Sequence, residues 1–238
     1  MKRHMLRMVL LLTSTILLAG CSKKKAEPVT PEITKMNGTG IQFEEPKKGE
    51  TVAEFVIKDY GSIYVRFFKD AAPKAVENFI THAKDGYYND LIFHRVIADF
   101  MIQGGDPTGT GMAGESIWGN EFEDEFSDDL YPYRGALCMA NTGQPGTNGS
   151  QFFIVQAGPI PEEMLKQIEA EYNLTIPEEP RMNYLQVGGT PWLHKHHTVF
   201  GQMYAGYDVL DKIARAETDS NAKPVKDIVI KKINITEY

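Results

Sequence analysis

Apolar and polar positions alternate with period two along TVAEFVIK (51–58) and again along SIYVRFF (62–68), with Asp59-Tyr60-Gly61 between them. Two such runs about a tight glycine turn predict a β-hairpin. The period changes in DAAPKAVENFITHAKDGYY (70–88), where Ala75, Val76, Phe79, Ile80 and Ala83 form one apolar stripe. Pro73 suits the first turn and Gly86 a stop, so a helix is predicted there. A second helix fits GYDVLDKIARAE (206–217), and further strands fit LIFHRVI, FMIQG, GALCMA, QFFIV, TVFGQMY and DIVIKKINI. Many short strands with two core helices argue for a closed or sandwiched β architecture, since edges would otherwise be exposed. Between Gln156 and Pro191 the strand rhythm stops. PEEMLKQIEAEY (161–172) is compatible with a helix, and NLTIPEEPRMNYLQVGG (173–189) reads as loop.

The first twenty residues follow another plan. Lys2, Arg3 and Arg7 precede an apolar run of about fifteen residues, the layout of a signal peptide; a membrane span needs roughly 20. The run closes on Leu18-Ala19-Gly20-Cys21, which resembles the lipobox of bacterial lipoproteins. The resemblance implies that residues 1–20 are removed, that Cys21 is acylated, and that the protein is extracytoplasmic and anchored to the cell membrane. Residues 21–50, polar and rich in Lys, Glu and Pro, then read as a flexible tether, and residues 51–238 as one domain.

Hydrophobic residues at 42% with 24% charged exclude wholesale disorder. The net charge of −7, which becomes −10 without the three cations of residues 1–20, argues against nucleic acid as a partner. Cys138, in an apolar run, reads as a small buried hydrophobe.

One stretch poses a chemical question. FHRVIADFMIQGGD (93–106) is strand-like, yet carries Arg95 and Gln103. A guanidinium in such company needs either an acid of the fold or something the protein binds. Period-2 alternation gives Arg95, Met101 and Gln103 one parity. Phe100 falls on the other and would require a bulge near Ala98-Asp99 to join them.

FHRVIADFMIQGGD, GALCMANTGQPGTNGSQFFIV (135–155) and WLHKHHTVFGQM (192–203), in that order, resemble the cyclophilins. The resemblance covers about residues 51–236, with 157–190 as an insertion. It implies a mainly β fold, an eight-stranded antiparallel closed barrel capped by two α-helices, and peptidyl-prolyl cis/trans isomerase activity without metal or cofactor. It implies Arg95, Phe100, Gln103, Phe153 and His197 as catalytic residues, with Phe100, Met101, Phe153, Leu193 and His197 forming a proline pocket. Gln103, Asn141 and Gln151 would offer polar contacts to the peptide, Ala140 and Thr142 would line the groove, and Gly109 and Trp192 would stand at its rim. The family commonly has a small apolar residue where Thr142 stands. The partners implied are unfolded, proline-containing proteins met by a monomer, with cyclosporin as a ligand because of Trp192. A competing class is a binding module that holds proline segments with incidental turnover; such a module needs the pocket but not Arg95.

Other motifs carry less. GTGMAG (109–114) matches a dinucleotide fingerprint but lacks a surrounding βαβ unit, and reads as a mobile loop at the groove. Seven acids lie in residues 115–130 without EF-hand spacing, as a solvated segment would have them. His194, His196 and His197 would alternate faces on a strand, which leaves only His197 for the groove. His94 is expected to be a packed or hydrogen-bonded partner on the face opposite Arg95.

Overall fold

A computed structural model of the protein describes residues 35–238. The signal peptide expected over 1–20 and the acylation expected at Cys21 fall outside the described residues. The hairpin forms as expected from β1 (Thr51–Ile57) and β2 (Gly61–Phe67), with Phe55 opposite Ile63. Asp59 takes the left-handed conformation in its turn. The helix α1 (Pro73–Lys84) begins on Pro73 and buries Ala75, Val76, Phe79 and Ala83. There follow β3 (Leu91–Ile92), β4 (Arg95–Ile97), β5 (Met101–Gly104), β6 (Ala136–Met139), β7 (Phe152–Val155), the helices α2 (Glu162–Tyr172) and α3 (Glu178–Gln186), β8 (Val199–Ala205), α4 (Tyr207–Ala214) and β9 (Val229–Glu237).

The strands form one antiparallel sheet in the order β3-β9-β1-β2-β8-β6-β7-β5-β4. Nine strands replace the eight expected because 91–97, read as one run, breaks in two. Leu91 and Ile92 pair with β9, whereas Arg95 to Ile97 pair with β5. Phe93 and His94 leave the ladder between them, and Phe93 N–H donates to the Ile228 carbonyl. The two outermost strands of the sheet are thus consecutive in the chain, two residues apart, which requires the sheet to curl.

Alternation on the central strands sorts side chains onto two faces. Ile102, Phe152 and Ile154 face a core shared with Phe55, Phe79, Phe200, Leu210 and Ile213, so α1 and α4 complete the same cluster. The Phe79 ring meets Phe152 edge-on at 5.4 Å. Met101, Phe153, Val155 and Cys138 face the other way, into a second cluster with half-buried Phe100, Ala140 and Leu193. Cys138 is buried there and burial pushes its thiol pKa up, as suits an inert side chain.

Three expectations are corrected. Residues 173–189 are not all loop: α3 forms, because Pro180 stands in its first turn, where its missing N–H has no helical partner, and Glu178 and Glu179 suit that end. Arg181 ties α3 to α2 through Glu162 at 3.0 Å and through Glu169. Residues 39–50, assigned to the tether, dock instead. Gln42 is buried, its amide donating to the Tyr131 carbonyl (2.8 Å) and Gln202 Oε1 (3.0 Å) while accepting from Tyr131 N–H (2.7 Å). Thr39 exchanges backbone hydrogen bonds with the Asn183 side chain. Finally, the acids of 115–130 are not simply solvated. Glu125 accepts from the N–H groups of Lys74 (3.1 Å) and Ala75 (2.9 Å), capping α1 where Ala72 offers no side-chain cap. Among the described residues no helix is long and apolar enough to cross a membrane.

Candidate active site

A row of residues crosses four strands on the outward face. Arg95 on β4 stands opposite Gln103 on β5, Gln103 opposite Phe153 on β7, and Phe153 opposite Cys138 on β6. This register carries a charge, an amide and a ring from solvent to buried apolar floor in one line. Arg95 is exposed. Its Nη1 donates to Gln103 Oε1 at 3.4 Å and its guanidinium lies 5.9 Å from the Phe100 centroid. Among the described residues no carboxylate is paired with it. The question posed by its position is therefore not answered by an acid of the fold.

Gln103 continues the polar chain, donating through Nε2 to Gln151 Oε1 at 2.9 Å. Gln151 in turn donates to the carbonyls of Ala113 (2.7 Å) and Gly111 (3.1 Å). The 106–114 loop so engaged is pinned rather than mobile. Buried Asp106 accepts from the N–H groups of Thr108, Thr110, Gly111 and Ala113. Burial alone would raise the pKa of Asp106, but these donors bring it below the ordinary carboxylate value. Gly109 sits in this loop at φ +65°, close against Ile92.

Met101 and Phe153 are buried at the floor, with Leu193 half-buried beside them. His197 meets Phe153 edge-on at 5.1 Å and its Nδ1 donates to the Met139 carbonyl at 3.0 Å. Burial lowers the His197 pKa, so a neutral ring faces the pocket at pH 7. Phe100 joins without the bulge inferred from parity. β4 and β5 are separate strands of a hairpin whose turn passes through Asp99 at φ +57°, and this turn carries Phe100 to the pocket. Gln156, which sequence reasoning missed, holds that turn, its side chain accepting from Asp99 N–H at 2.8 Å and its own N–H donating to the Phe100 carbonyl. The first contact links positions 57 residues apart and the second joins the neighbouring position, and no local pattern announces them.

The remaining predicted residues form walls. Half-buried Ala140 donates its N–H to the Gln151 carbonyl. The Asn141 amide is engaged within the fold, donating to the His196 carbonyl at 2.9 Å and accepting from Gly143 N–H, so it braces the wall instead of presenting a free amide. Exposed Thr142 pairs with Thr147 Oγ1. Trp192 is half-buried; its ring stacks on Phe100 at 6.1 Å and on Tyr172 of α2, also at 6.1 Å.

The three clustered histidines are parted by a turn, not by strand alternation: Lys195 is left-handed, His194 stacks on Tyr131 at 4.2 Å, and β8 begins only at Val199. No group of three metal-ligating side chains occurs among the described residues. His94 is buried as expected, yet both of its ring nitrogens lack a partner. A cavity of about 1030 Å³ lies between residues 41–51 and α1, and none of the groove residues lines it.

Residues 52–235 match the family described as cyclophilin type peptidyl-prolyl cis-trans isomerase/CLD. A protein of Staphylococcus saprophyticus, named provisionally as a peptidyl-prolyl cis-trans isomerase, is 54% identical over 177 residues, covering 74% of this chain and 88% of its own. A similarly named Staphylococcus aureus protein is 52% identical over 177 residues, with the same shares. The crystal structure of a Cryptosporidium parvum cyclophilin type peptidyl-prolyl cis-trans isomerase superposes with a TM-score of 0.64 at 34% identity, over 79% of this chain and 99% of that one. A second structure of it, in the presence of the dipeptide Ala-Pro, gives 0.63.

Proposed function

The chain belongs to the cyclophilin-type peptidyl-prolyl cis-trans isomerases, and on that footing we propose that the row from Arg95 to Phe153 is where it turns X-Pro bonds. Rotation about such a bond breaks C–N resonance, with an activation energy of about 20 kcal/mol. At the twisted transition state the proline nitrogen regains a lone pair. A donor that bonds this lone pair binds the twisted form better than either planar form, and only such differential binding accelerates the step. Arg95 is that donor. Gln103 sets its direction, Phe100, Met101, Phe153, Leu193 and His197 hold the pyrrolidine ring, and Gln151 steadies Gln103. An acceleration of about 10⁵ corresponds to roughly 7 kcal/mol. One charge-assisted donor supplies about 3–4 of it, and the grip on ring and carbonyl supplies the rest. Bonds to carbon and nitrogen are kept throughout, so no covalent intermediate is involved.

The observation that supports this reading is an exposed guanidinium, free of any paired acid among the described residues, at the open end of a row that ends on a buried apolar floor. Arg95→Ala should lower kcat/KM in a peptide isomerisation assay at least 100-fold while thermal unfolding stays within a degree or two, since the side chain is exposed. Unchanged turnover in the folded variant would refute the assignment.

We further propose that the protein acts on unfolded, proline-containing chains outside the cytoplasm, as a monomer held to the membrane by acylated Cys21. The supports are the apolar run and Leu18-Ala19-Gly20-Cys21. Incorporation of labelled palmitate that survives Cys21→Ser would remove the anchor from the proposal. We also read β3, Phe93, His94 and β4 as one interrupted barrel strand, and cyclosporin as a groove ligand to which the Trp192 indole N–H, unbonded among the described residues, could donate.

A further inference from the structure

We infer that Tyr172, carried by the insertion, extends the groove into a second subsite that takes an aromatic or large apolar side chain flanking the substrate proline. This rests on the groove reading above. Phe100, Trp192 and Tyr172 form one series: successive centroids are 6.1 Å apart, with interplanar angles of 27° and 24°. Near-parallel rings at that separation cannot lie face on face. With planes about 3.5 Å apart they are slipped by about 5 Å, the offset-stacked arrangement, so each leaves part of its face uncovered. Tyr172 is 48% exposed although its ring packs on an indole. The result is a stepped aromatic shelf that starts at the proline pocket and ends outside it.

The shelf is held on rigid supports. Tyr172 is the last residue of α2, and Asn173 ends the helix in the left-handed conformation. Glu169, one turn earlier, accepts from Ile176 N–H at 3.0 Å and binds Arg181, so the loop and α3 fix this end of α2. Leu165 and Ile168 are buried against Tyr133 and Tyr184, which seats α2 on the domain. A large exposed ring on a fixed helix end loses little freedom when a ligand covers it, the property that makes tyrosine an effective contact residue. Two steps of 6.1 Å put Tyr172 no more than about 12 Å from Phe100, the reach of three to four extended residues. The side chain received is therefore two to four positions from the proline. Segments of that composition abound in unfolded chains and are buried in folded ones.

The test uses the protein from residue 22 onward and oligopeptides centred on Ala-Pro, with Phe or Ala placed in turn at each of the second to fourth positions on either side. In the unaltered protein Phe at one or more positions raises kcat/KM about five-fold over Ala, mainly through KM, as one added aromatic contact would. Tyr172→Ala brings that ratio to about one, and Tyr172→Phe restores it. As a measurement independent of any variant, the Tyr172 ring resonances shift on titration with the preferred Phe peptide and not with its Ala counterpart. The inference is overturned if no position shows a preference, if the preference survives in Tyr172→Ala, or if the ring resonances stay still. Arg95→Ala separates the two readings: it abolishes turnover of every peptide but keeps the Phe preference in binding affinity. Normal turnover there would count against the groove, not against the shelf.

Discussion

Arg95 and Gln103 occupy directly opposed positions of the β4–β5 ladder, and their side chains share one hydrogen bond of 3.4 Å. That contact is longer than the usual ~2.7–3.2 Å, and among the described residues it leaves the other guanidinium donors free. Gln103 therefore aims Arg95 without consuming it, while its own amide is fixed by Gln151.

Gln103→Leu keeps the volume and removes the aim. The expected result is a roughly tenfold fall in kcat/KM, about 1.4 kcal/mol of transition-state stabilisation, with unfolding temperature nearly unchanged. Arg95→Lys should lose more, since an ammonium lacks the planar fork. If Gln103→Leu retains full turnover, Gln103 has no part in orienting the arginine.

Glu125 caps a helix to which it is not adjacent in sequence. Glu125→Ala leaves the Lys74 and Ala75 N–H groups without this acceptor. A loss of about 1 kcal/mol of stability is expected in denaturant unfolding, with Glu125→Gln recovering part of it. Equal stability of the alanine variant and the parent would rule the cap out.

Gln42 connects the docked N-terminal segment to Tyr131 and Gln202. Gln42→Leu strips three hydrogen bonds from buried groups and should cost about 1–3 kcal/mol. Amide exchange over residues 38–50 should rise sharply, whereas exchange in β5 and β7 stays slow. Fast exchange over 38–50 in the unaltered protein would contradict the docked arrangement.

Stability should depend on pH through histidines. His82, His94, His194 and His197 all have lowered pKa values because burial disfavours the imidazolium, and burial together with neighbouring Lys195 brings His194 to about 4. The unfolded chain titrates near 6.5. As pH falls below about 6.5 the unfolded state takes up protons that the folded state refuses, so stability declines. Unfolding temperature should be level from pH 7 to 8 and should fall from about 6.5 toward 4. His194→Phe, which keeps a ring on Tyr131, should make that slope shallower. A profile that is flat through the window would show that these rings are not held neutral.

The sequence disclosed what repeats locally and concealed what depends on distant partners. Alternation located β1 and β2, short apolar runs located what became β5 to β9, and the apolar stripe of 75–83 gave α1, because each follows from one short stretch of side chains. The blocks around Arg95, Phe153 and His197 pointed to the site for the same reason. Parity misjudged Phe100, since a three-residue turn and an in-strand bulge look alike until the Asp99 contact with Gln156 is known. Residues 173–189 read as loop, yet Pro180 lies in the first turn of α3, the part of a helix that tolerates it. Residues 39–50 resemble a tether in composition, and contacts such as those of buried Gln42, whose partners lie 89 and 160 residues away, reveal otherwise.

The sheet's outermost strands, Leu91–Ile92 and Arg95–Ile97, have two and three residues. The clients proposed above, extended and half-made polypeptides, are chains that pair readily with any open β border. Borders this brief, one of them bearing a cation, offer such chains almost no template, which suits the proposed work among aggregation-prone clients.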